Sequence, residues 1–94
     1  MVHPSQRPQA IRNALVQALA AEHVEVVDDS AQHVNHAGAR SGAGYFRVLV
    51  VSSRFVGLTR LAAQRLVYEA LSSLMDRDIH ALQIRTLTPE QWLL

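Results

Sequence analysis

Phe46-Arg47-Val48-Leu49-Val50-Val51 is the stretch that decides the fold. Phe46, Val48 and Val50 share one face under the two-residue repeat of a strand. Leu49 and Val51 make the opposite face largely apolar as well. A strand that is apolar on both faces belongs in the middle of a sheet. The rest of the chain must therefore supply a neighbour on either edge and helices to cover the core face.

Toward the N-terminus, His23 to Val27 is β-branched and alternating, with Val24 and Val26 on one face, and Asp28-Asp29-Ser30 closes it. This reads as a short strand able to pair with 46–51 as a wide antiparallel hairpin. The connection from Ser30 to Gly44 has no usable periodicity, and its length of about fifteen residues is typical of a functional loop. Before it, Ile11, Ala14, Leu15, Ala18 and Leu19 recur at helical spacing, and Pro8 suits a first helical turn. The spacing predicts a helix over 8–22, with 1–7 as a loose tail and 8–94 as a single domain.

Toward the C-terminus, Ser52 to Gly57 reads as a turn and Thr59 as the cap of a second helix. Leu61, Leu66, Val67, Ala70, Leu71, Leu74 and Met75 form that helix's apolar stripe. Ile79 to Leu87 alternates again, with His80, Leu82 and Ile84 on one side, and predicts a third strand. Joined to the second through a helix, it is expected to run parallel to it with a right-handed crossover. Thr88-Pro89-Glu90-Gln91 carries a capping-box pattern that opens a last short helix, after which Trp92 is expected to anchor against the core. The order α-β-β-α-β-α is an α+β two-layer sandwich with a three-stranded mixed sheet.

Composition limits the chemistry. The chain has 94 residues, 49% apolar and 18% charged, which is globular and sized for one domain. It contains no cysteine, so disulfides, a Cys nucleophile and any cluster held by its own thiolates are excluded. All nine Lys and Arg positions are Arg, which excludes Schiff-base chemistry. A net charge of +1 is not the footprint of an obligate nucleic-acid binder. No apolar run reaches the ~18–20 residues of a membrane span, and the first residues lack a signal-peptide pattern. A cytoplasmic protein with no membrane partner is the expectation.

No catalytic signature is present: no G-x-S-x-G, no H-E-x-x-H, no Gly-rich phosphate loop. An enzyme is not expected. His33 and His36 place two imidazoles in the long connection, and His80 opens the third strand. Each is a nitrogen donor suited to a transition metal, and each also has a plain reading: solvated loop residues for His33 and His36, a half-buried strand residue bonded to backbone for His80. Three imidazoles are too few for a closed metal site, so a partner would have to complete it. Gly57 reads as a turn glycine needing positive φ, or as a place where phosphate approaches the backbone at a helix start. Arg54, Arg60 and Arg65 flank that turn, as an anion-binding group or as a solvated face.

Val50-Val51-Ser52-Ser53-Arg54-Phe55-Val56-Gly57-Leu58, Arg65-Leu66-Val67-Tyr68-Glu69-Ala70-Leu71, Ile79-His80-Ala81-Leu82 and Thr88-Pro89-Glu90-Gln91-Trp92 together resemble the BolA family. The likeness runs from about Gln9 to Leu94. It implies a class II KH-like fold. It also implies a non-enzymatic adaptor that pairs with a monothiol glutaredoxin and its glutathione around a shared [2Fe-2S] cluster, in iron–sulfur trafficking or iron homeostasis. Some bacterial members act as DNA-binding regulators of morphology and stress response, so DNA is the alternative partner, bound through Arg54, Gly57, Arg60 and Arg65. By this resemblance His80 is a cluster ligand and His33 or His36 is the second. Many members have His where this chain has Tyr45. Two imidazoles here and two sulfurs from the partner would make a Rieske-like set, with no cofactor held by the chain alone. Ligating imidazoles must be neutral, so the complex is expected to weaken below pH ~6. The chain alone is expected to be a monomer, with a homodimer as the other arrangement.

Overall fold

A computed structural model describes residues 2–33 and 42–94. A single 3₁₀ turn at Pro4–Gln6 leads into α1 (Arg7–Leu19), followed by β1 (His23–Asp28) and a second 3₁₀ turn at Ser30–His33. Then come β2 (Gly44–Val51), a 3₁₀ turn at Ser53–Phe55, α2 (Arg60–Ala70), β3 (Ile79–Leu87) and α3 (Pro89–Leu93). The sheet order is β1-β2-β3, so the doubly apolar strand is central as its sequence requires. β1 pairs antiparallel with β2, and β3 pairs parallel with it. The α+β class and the mixed three-stranded sheet follow the sequence expectation.

The helical layer covers one face of the sheet. Ile11, Leu15 and Leu19 of α1 meet Ala63 and Val67 of α2, then Leu71 and Leu74 just beyond it, over Val24, Phe46, Val48, Val50 and Ile79. Each helical set lies at i, i+4 spacing, which is why one stripe suffices to bury it. Thr59 caps α2 by accepting the Ala62 N–H at 3.1 Å. Thr88 and Gln91 complete the capping box of α3. Ser52, fully buried, donates its hydroxyl to the Leu19 carbonyl at 2.6 Å and accepts the Arg54 N–H at 3.1 Å. One side chain thereby satisfies an orphan carbonyl at the end of α1 and an amide of the following turn.

Several expectations need correction. The first residues are tied down at two points although His3 to Gln6 are exposed: the Val2 N–H donates to Asp78 Oδ1, and Arg7, one turn before Ile11 on the stripe Arg7-Ile11-Leu15-Leu19, is only 5% exposed. The first helix ends at Leu19, not 22, because Ala20 turns left-handed at φ 48°. The second helix ends at Ala70, and Leu71 and Leu74 reach the core from the turns beyond it. Leu61 does not belong to its buried stripe and is exposed. Trp92 is not a core anchor. It is 41% exposed and stacks on His23 with ring centroids 4.6 Å apart. His23 alternates with the core residue Val24, so α3 sits on the sheet face opposite α1 and α2.

The last correction concerns β3. Gly44 pairs with Ile79, but Tyr45 pairs with Ala81, so His80 has no partner across the ladder and forms a bulge. The bulge lets Ile79 and Leu82 both face the helices and takes His80 off the Leu82 and Ile84 face.

Candidate functional site

The site is built around one end of β2. Asp28 accepts the Ser30 N–H on its Oδ1 at 2.9 Å, which starts the turn that ends at His33. The Asp29 N–H donates to the Tyr45 carbonyl at 2.8 Å, and the Tyr45 N–H donates to Ser30 Oγ at 3.1 Å. The turn is thus fastened to β2 at Tyr45. A Cβ on Gly44 would lie 2.7 Å from Ser30 Oγ of this turn and 2.7 Å from the ring of Phe46 on the same strand. Glycine is required here by the space and not by its backbone angles.

The bulge brings His80 to the same end. Its ring centroid is 5.3 Å from that of Tyr45, with the planes tilted by 55°. His80 is exposed, which sets aside the half-buried, backbone-bonded reading. Among the described residues no hydrogen bond or ion pair engages its ring nitrogens, and they can therefore accept an external electrophile or metal. His33 is the last residue of the fastened turn. His36 falls in 34–41, outside the described residues. Among the described residues no group of three or more His, Cys, Asp or Glu side chains could hold a metal ion. An unengaged imidazole in a chain without cysteine fits a [2Fe-2S] centre only as a partial donor set, the thiolates coming from elsewhere.

The arginine set is divided by the structure. Gly57 has φ +79°, and nothing lies within 4 Å of where its Cβ would be, so its turn needs the left-handed angle. Gly57 and Arg60 line a groove of about 580 Å³ that runs from the start of α2 to β3, with Ile84, Arg85 and Gln91 among its other walls. Arg54 and Arg65 are exposed but do not line it. Arg85 and Gln91 line the groove without being among the sequence's candidate residues. The signal for Arg85 was present in the polar alternation of Gln83 and Arg85 along the third strand. Gln91 serves both the capping box of α3 and the wall of the groove.

These features define a small α+β domain with a mixed sheet, a histidine presented on a bulge and a separate arginine-lined groove. Residues 15–91 match the family model described as BolA-like protein, and the chain belongs to that family. It is 47% identical over 83 residues to BolA-like protein 1 of Mus musculus, covering 88% of this chain and 58% of that protein. The chain therefore spans somewhat under six-tenths of the length of that curated relative. It is 38% identical over 69 residues to the Escherichia coli (strain K12) protein named DNA-binding transcriptional regulator BolA, covering 73% of this chain and 63% of that one. Among solved structures, a bol-like protein from Babesia bovis superposes with a TM-score of 0.77 at 28% identity, covering 99% of this chain and 92% of that one.

Proposed function

We propose that this chain is a non-enzymatic adaptor that pairs with a monothiol glutaredoxin and offers His80, with His33 or His36, to a shared [2Fe-2S] cluster. The observation that carries the reading is the bulge. It costs the ladder one pair and leaves an imidazole exposed and unengaged beside the fastened turn that leads to the second candidate. The glutaredoxin cysteine and its glutathione would provide the two sulfurs that this cysteine-free chain lacks. The role of this chain is then to hold imidazole nitrogen at an open surface; the cluster, when bound, supplies the iron and its electron chemistry. Such an arrangement suits iron–sulfur trafficking or iron homeostasis. Mixing the protein with a cluster-loaded monothiol glutaredoxin tests it. Visible absorption and circular dichroism are expected to change on mixing, and to change less with His80→Ala. Identical spectra for wild type and His80→Ala would remove the assignment.

A second reading, a DNA-binding regulator, is favoured by the name of the Escherichia coli relative and by the groove that carries Arg60 and Arg85. Phosphate contact by these two arginines would make binding strongly salt-dependent. The groove and the His80 end involve different residues, so Arg60→Glu and His80→Ala separate the two readings.

A further inference from the structure

Arg7 and Asp78 form an ion pair inside the protein. They are 5% and 3% exposed, and Arg7 Nε lies 3.3 Å from Asp78 Oδ1. The same carboxylate oxygen accepts the Val2 N–H at 2.9 Å. The main chain of Asp78 is held as well: its carbonyl accepts the Gly44 N–H at 2.9 Å, and its N–H donates to the Leu74 carbonyl at 2.9 Å. The N-terminal segment, β2 and the turn after α2 therefore converge on a residue two positions before His80.

A buried ion pair is a weak source of stability, because desolvation offsets most of its attraction. Its best-attested use is to choose between registers. A straight ladder is the alternative register at this point. Extending the Tyr45↔Ala81 pairing back by one residue would place His80 opposite Gly44, remove the bulge, and put His80 in line with Leu82 and Ile84. That straight ladder follows the alternation of the sequence. In the bulged ladder Ile79 is fully buried instead and His80 turns outward. The straight ladder would draw Asp78 and Ile79 one residue along, away from Arg7, Val2 and Gly44.

We propose that the Arg7–Asp78 pair selects the bulged register, which makes Arg7 a positioning residue for His80. Its functional weight rests on His80 being a ligand; its structural content does not. Arg7 also borders a recess of about 360 Å³ with Ser30, Ala31 and Gly44, so the same side chain lies beneath the turn that leads to His33.

The test uses the isotope-labelled protein alone. Wild type is expected to show nuclear Overhauser contacts between the Tyr45 and His80 rings and slow exchange of the Gly44 amide. Arg7→Met is expected to lose the ring contacts and to exchange the Gly44 amide about tenfold faster, while Arg7→Lys retains both. A folded Arg7→Met protein that keeps the ring contacts and the slow amide overturns the proposal, even if its melting temperature falls. Should Arg7→Met not fold, Asp78→Asn, which keeps the shape and removes the charge, is judged by the same two outcomes. No cluster or partner is in the sample. A failure of cluster binding therefore leaves this result intact, and a failure here leaves His80 to be judged by its own spectra.

Discussion

The imidazole of His80 stands 5.3 Å from the Tyr45 ring, one exposed and the other buried. The buried ring has a fixed position, so it limits where the exposed one can go. Tyr45→Ala removes a large buried side chain and is expected to cost about 3 kcal/mol in denaturant unfolding. Tyr45→Phe keeps the ring and is expected to leave the His80 resonances close to wild type in nuclear magnetic resonance spectra.

His80 itself contributes little to stability. It is exposed and makes no described hydrogen bond, so His80→Ala is expected to shift stability by no more than ~0.5 kcal/mol. Its effect belongs in the spectrum of the mixed cluster complex. A variant that melts like wild type yet alters the cluster's visible circular dichroism separates ligation from folding.

Gly44 separates two packed groups. Gly44→Ala would force its Cβ against Ser30 Oγ and the Phe46 ring, both at 2.7 Å, and is expected to destabilise by about 1–3 kcal/mol. Adding Ser30→Ala removes only one of the two obstacles. Thermal unfolding of the double variant is therefore expected to recover part of the loss and not all of it.

α3 has five residues and cannot hold itself together without its cap and its tertiary contact. Thr88→Ala is expected to cost about 1 kcal/mol. Trp92→Ala removes the stack on His23 and is expected to speed amide exchange at Trp92 and Leu94, whose N–H groups donate to Thr88 and Gln91. Unchanged exchange would show that the helix is held elsewhere.

If the groove takes DNA, Arg60→Glu and Arg85→Glu are expected each to weaken binding across sequences and to lower the salt slope by about 1. Arg65→Glu, outside the groove, is expected to leave the slope unchanged. Equal effects from all three would point to a diffuse surface charge.

The strands and the caps were legible because each is set by neighbours a few residues apart. The two apolar faces of 46–51 and the Thr88–Gln91 pair declare themselves locally. Three features were not legible, for one reason: each depends on a residue far away in the chain. The burial of Arg7 requires Asp78, the placement of Trp92 requires His23, and the outward turn of His80 requires a change of register opposite Tyr45. Period-two reading of 80–84 even favoured the wrong face for His80, since a bulge shifts the alternation without leaving a mark in composition. Arg60 and Gly57 share their groove with Arg85, a neighbour that local reading does not supply because the groove joins elements separated in sequence.

Arg7 and Asp78 are seventy-one residues apart, so their contact closes nearly the whole chain into one loop. A contact of that span is expected to form late on the way to the native state, after the hairpin and the crossover have brought their ends together. A weakened pair then raises the rate at which the assembled domain comes apart and leaves the rate of assembly near its original value. Arg7 is then expected to act as a kinetic strap: in stopped-flow measurements Arg7→Met should unfold faster than wild type and refold at nearly the same rate.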